Sequence, residues 1–198
     1  MHCLIMTINS QTFNTDVYVV DFTEYNKSAH TTPAPAAGVF VDVVDNGIIP
    51  SFLLTDKNAH PFEVINLEQN KSMLKRADGT KVSQCECIIF ALREDDPAWM
   101  IFLELKYCGS KNRYDETLEA LGQLKRTCKH VFDNAYFSKS HFKRYFVVST
   151  PGVEPLDPFD ATYFNQDDML TLKEEYHAQV LLTNQVDILS PVHLRMSR

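Results

Sequence analysis

Two carboxylates and a lysine stand in the apolar runs Cys85-Glu86-Cys87-Ile88-Ile89-Phe90 and Met100-Ile101-Phe102-Leu103-Glu104-Leu105-Lys106. Alternation along a strand puts every second side chain on one face. Glu104 and Lys106 therefore share a face, and Leu103 and Leu105 take the other. On the preceding run Gln84, Glu86 and Ile88 share a face, with Cys85 and Cys87 pointing away. An antiparallel hairpin turning near Glu94 to Pro97, in even register, sets Glu86 roughly opposite Lys106 or Glu104. Such charges are costly to bury without a partner, and a divalent cation would relieve the cost. Magnesium takes hard oxygen ligands, often one or two carboxylates completed by a substrate phosphate, which Glu86 and Glu104 could supply. A lysine beside the attacking water could hold it in line and stabilise charge on the phosphate. The competing reading is a cross-strand ion pair at a sheet edge, worth about 0–1 kcal/mol.

The surrounding sequence supplies elements to position these groups. Tyr18 to Phe22, Gly38 to Val44 and Tyr145 to Val148 read as strands. Ile48 to Leu54, interrupted by Pro50, reads as an edge strand, and Lys81 begins the first strand of the hairpin. Phe62 to Leu67 fits strand or helix. Asp115 is a plausible N-cap for a helix running to about Phe132. Its apolar stripe is Leu118, Leu121, Leu124, Cys128, Val131 and Phe132, and its polar stripe is Glu119, Gln123, Arg126 and His130. Asp167 to Ala178 suits a helix and Val180 to Thr183 a strand. Trp99 falls in the hairpin turn, and Thr31 to Ala37 and Val153 to Phe164 read as loops. Strand, strand, helix, strand suits an α/β fold with a mixed central sheet flanked by helices.

Length, 198 residues, suits a single domain over 1–198. A net charge of −7 argues against a surface coated for non-specific nucleic-acid binding, though not against a local basic cleft. Lys111, Arg113, Lys125, Arg126, Lys129, Lys139, Lys143 and Arg144 gather after the hairpin, with Tyr114, Tyr136, Phe137 and Phe142 among them. They read either as a phosphate-tracking surface or as an ordinary solvated face. No stretch reaches membrane-spanning length and no signal peptide is evident, so no membrane partner is expected. Five cysteines without framework spacing point to a reduced, cytoplasmic setting. Cys85 and Cys87, with Cys108 nearby, could hold zinc or be small buried residues.

Carboxylate strand, turn, strand ending in Glu-x-Lys, then an amphipathic helix with glutamine on its polar side resembles the PD-(D/E)XK nuclease superfamily, with its restriction-endonuclease-like fold. The resemblance covers about Lys81 to Thr150, within a nuclease-like core at about 62–150. It implies a metal-dependent nuclease hydrolysing phosphodiester bonds, in DNA, with magnesium or manganese, of restriction, repair or phage-defence type. Glu86, Glu104 and the Leu105 backbone carbonyl would hold the metal, together with Glu68 or Glu63 as the upstream acid. Glu86, Glu104 and Lys106 would be the catalytic set, and Gln123, Arg126, Lys111 and Arg113 would contact substrate. A homodimer suits enzymes that cut both strands. The chain departs from the family in carrying Glu86 where aspartate is usual, Cys85 where proline is usual, and Thr127 rather than tyrosine four residues after Gln123. The alternative is a protein that keeps this fold without the chemistry and binds protein or nucleic acid.

Overall fold

The computed structural model describes residues 8–28, 36–76, 78–92, 98–137, 142–154 and 166–197. The hairpin turn with Asp95 and Asp96, most of the Thr31–Ala37 and Val153–Phe164 segments, and Lys139 lie outside the described residues. The strands are β1 (Gln11–Phe13), β2 (Val17–Asp21), β3 (Val39–Asp42), β4 (Phe52–Thr55), β5 (Phe62–Asn66), β6 (Cys87–Ala91), β7 (Ala98–Leu105), β8 (Phe142–Ser149), β9 (Ala178–Leu182), β10 (Gln185–Ser190) and β11 (His193–Met196). The helices are α1 (Phe22–Ser28), α2 (Arg113–Asp133) and α3 (Gln166–Glu175), with a 3-10 turn at Lys71–Leu74.

The chain is α/β with two mixed sheets. The larger has the order β1-β5-β6-β7-β8-β9 and the smaller β11-β10-β4-β2-β3. In the larger sheet β6 and β7 pair antiparallel, as the hairpin reading expects, and β7, β8 and β9 are parallel. Parallel neighbours require crossovers, and α2 and α3 supply them.

β7 shows why such a run can be apolar at nearly every position: both its faces are covered, so all eight residues are buried. Trp99, Ile101, Leu103 and Leu105 point into a core shared with the second sheet. Met100 and Phe102 point into a second core beneath α2, with Leu121, Leu124, Cys128, Val131 and Phe132. The far face of the central sheet is thus covered by a second sheet, where the sequence reading expects flanking helices.

Several local expectations are corrected. Trp99 belongs to β7, fully buried against Phe62, with its indole N–H donating to Ser190 O at 3.0 Å. β4 lies between β10 and β2, with Pro50 before it, so it is not an edge strand. The α2 N-cap is Asn112, which makes no side-chain capping bond, and Asp115 falls in the first turn. Leu118 is 42% exposed, because Thr117 takes the core-facing place in that turn.

The larger departure is at Glu86. The first hairpin strand begins at Cys87, not Lys81, and the chain bends at Glu86. Cys85 N–H donates to the Thr127 hydroxyl at 3.0 Å instead of entering the ladder. Alternation breaks there, so Cys85 lies in the helix-side core while Cys87 lies between the sheets.

Candidate functional site

At the C-terminal end of β7 the chain stays tied to its neighbours. Lys106 N–H donates to Ser149 O and Glu86 N–H to Leu103 O, each at 2.9 Å. With Cys87 opposite Leu103, these bonds carry the pairing one step past β6 and bring Glu86 level with Glu104. Leu105, between Glu104 and Lys106, turns its side chain into the inter-sheet core.

Glu104 is 1% exposed and Lys106 5%. Lys106 Nζ lies 3.1 Å from Glu104 Oε1 and 3.5 Å from Glu119 Oε1. The other carboxylate oxygen, Glu104 Oε2, is buried with no hydrogen-bond partner among the described residues. An exposed edge pair does not describe this arrangement, since both partners have left water.

The second sheet brings further acids to the same end. Asp21 closes β2 and its Oδ1 accepts the Thr23 and Glu24 N–H groups at 2.7 and 3.1 Å, starting α1 without an intervening loop. Tyr107 ties this corner to the central sheet. Its hydroxyl donates to Pro50 O at 2.9 Å and accepts the Asp21 N–H at 3.4 Å, and its ring meets Tyr25 edge-on. A cleft of about 430 Å³ opens here, lined by Lys106, Tyr107 and Gln123 with Glu24, Lys27 and Ser28 of α1 and Glu116 and Glu119 of α2.

These charges act on one another. Burial pushes the Glu104 carboxyl up to about 8 against the pull of Lys106. Burial, then the charge of Glu104, then those of Asp21 and Glu24, hold Glu86 well above the ordinary carboxylate range. Burial raises Asp21 despite its two backbone hydrogen bonds. Burial would lower Lys106, but Glu104 first, then Glu119 and Glu24, outweigh it and leave the amine above its usual value. A cluster that resists its own ionisation in this way is short of positive charge.

The remaining site residues named from the sequence are dispersed. Gln123 lines the cleft, and its amide N–H₂ donates to Gln84 O at 3.4 Å. Arg126 donates to the Ser83 hydroxyl at 3.1 Å, Arg113 to Glu154 O, and Lys111 is exposed in the turn before α2. Glu63 pairs with Phe90 in β5, about 13 Å along the strands from the level of Glu86. Glu68 accepts the Val39 N–H at 2.8 Å and adds its charge at Asp21. Arg144 leaves the basic face: it is 5% exposed, its guanidinium 3.9 Å from the centre of the Phe132 ring and donating to Tyr176 O at 2.7 Å. Phe137 and Phe142 pack on Phe90, a core use. His130 Nε2 meets Met73 O at 2.8 Å.

Asp21 and Glu24 escape the sequence reading, and Glu119, read there as part of the polar stripe of the helix, is not assigned to the site. Asp21-Phe22-Thr23-Glu24 has the spacing of an N-cap followed by an N3 glutamate, the local signal that could have exposed α1.

Among the described residues no three His, Cys, Asp or Glu side chains are placed to hold a metal ion. Cys85 and Cys87 lie in separate cores, which leaves the zinc reading without a ligand set. The donor chemistry suits magnesium or manganese nonetheless, which need only one or two carboxylates, and the partnerless Glu104 Oε2 is a buried oxygen of the right type. Among the described residues no helix is long and apolar enough to cross a membrane. Comparison with family models, with curated proteins and with solved structures finds no match.

Proposed function

We propose that this chain is a metal-dependent nuclease with a restriction-endonuclease-like core, hydrolysing phosphodiester bonds in DNA. The observation that carries the reading is the buried pair Glu104 and Lys106 at the end of β7, with Glu104 Oε2 unpartnered and Glu86 level with it. Glu104 and Glu86, with the Leu105 carbonyl, would hold magnesium or manganese. The cation, when bound, would supply an activated water and offset charge on the phosphate.

The protein groups divide the remaining work. Lys106 keeps its proton at neutral pH, because the surrounding carboxylates raise its pKa. It therefore serves as a donor to the phosphate or the attacking water, not as the base. The Gln123 amide, at the cleft wall, can contact the substrate backbone. Asp21 and Glu24 raise the negative potential at Glu86, which favours cation uptake.

The test has two parts. Calorimetry with manganese, in the presence of a short DNA duplex, should show binding that is lost in Glu104→Ala. Cleavage of linear and circular DNA should be lost in Lys106→Ala with the circular dichroism spectrum unchanged. An intact protein that neither binds the cation nor cleaves would instead support a binding module on this fold. The acidic rim of the cleft favours that second reading to the extent that it repels phosphate.

A further inference from the structure

We propose that Glu119 is a gate on Lys106, occupying by its carboxylate the place that a substrate phosphate takes. The inference rests on the reading of Lys106 as the phosphate-contacting group. An ammonium group has three N–H donors and no acceptor. In this fold the Lys106 donors face two carboxylates, Glu104 at 3.1 Å and Glu119 at 3.5 Å. The two are not equivalent. Glu104 is almost wholly buried, and breaking its pair would leave a second carboxyl oxygen in the interior without a partner among the described residues. Glu119 sits on α2 with its side chain 63% exposed, so water takes up its carboxylate readily when it lets go. Exposed partners of this kind are held weakly. An anion entering the cleft therefore displaces Glu119 and leaves Glu104 in place.

The direction of the effect follows from sign. Glu119 both occupies Lys106 and, with Glu24 and Glu116, adds negative charge to the wall that a phosphate must pass. Removing its charge should tighten DNA binding, although the residue lines the site. A merely structural Glu119 would have the opposite effect or none.

The probe is a fluorescein-labelled DNA duplex at low salt with chelator present, read by anisotropy, so that neither metal nor turnover enters. Glu119→Gln should bind about two- to fivefold more tightly than the natural protein. Glu116→Gln, which removes a charge from the same wall, should gain less. In a Lys106→Met background Glu119→Gln should lose most of its gain, the coupling expected of groups that share a contact. Binding that is unchanged or weaker in Glu119→Gln, or undetectable in both proteins, overturns the gate, as does a gain that persists in full without Lys106. If the gain and its coupling appear but neither protein cleaves DNA with manganese, the gate stands and the nuclease reading falls.

Discussion

Glu104 concentrates the physical tension of the molecule: a carboxylate 1% exposed, with one oxygen on Lys106 and the other without a partner among the described residues. Its pKa, about 8 in the fold, stands above the ordinary 4.5. The folded chain therefore holds a proton that the unfolded chain releases. The stability this contributes is present below about 4.5 and is lost as pH rises through about 8. The thermal midpoint of the metal-free protein should fall across that window, and Glu104→Gln should flatten the fall. An equal slope in both proteins would assign it elsewhere, to Glu86 and Asp21, which are raised in the same direction. Because a cation needs the deprotonated carboxylate, added manganese should raise the midpoint more at pH 8 than at pH 6, and differential scanning fluorimetry reads both effects.

At the scale of elements, α2 and the β2–α1 corner make separable contributions. Leu124, fully buried beneath α2, should cost about 2–5 kcal/mol when cut to alanine. Leu118, 42% exposed on the same helix, should change stability by no more than about 0.5 kcal/mol, and urea unfolding of the two variants distinguishes these cases. Tyr107→Phe removes the donor to Pro50 O and should cost about 0.5–1.5 kcal/mol. β7 was legible from Met100 on, because a short apolar run ending in Glu-x-Lys suits a buried strand, while its first residues, Ala98 and Trp99, read as turn. The body of α2 was legible from its period, whereas its start at Asn112 and the exposed place of Leu118 were not. The start of β6 was hidden, because a hydroxyl forty-two residues away, on Thr127, takes the Cys85 N–H and bends the chain. α1 was hidden because Tyr18 to Phe22, rich in Val, Tyr and Phe, reads as one strand through Asp21, and a helix of seven residues is too short to show a period. The site followed the elements: Glu104 and Lys106 came from one strand, while Glu24 and Glu119 needed contacts across the fold.

For the whole molecule, the second sheet was the feature least visible in the sequence. Its strands come from both ends of the chain, with β10 running parallel to β4, and no local pattern announces a pairing between segments that far apart. The result is three stacked layers, α2 with α3, central sheet and second sheet, with one core in each gap and α1 on the side of the second sheet. The bend at Glu86 sends neighbouring thiols into different gaps: Cys85 and Cys128 lie beneath α2, Cys87 lies between the sheets, and Cys108 is partly open to solvent. The protein thus carries its own set of depth gauges. In a timed alkylation followed by peptide mass spectrometry, Cys108 should react first among these four. The order of the others would then report which gap breathes more often, the helices lifting from the central sheet or the two sheets parting.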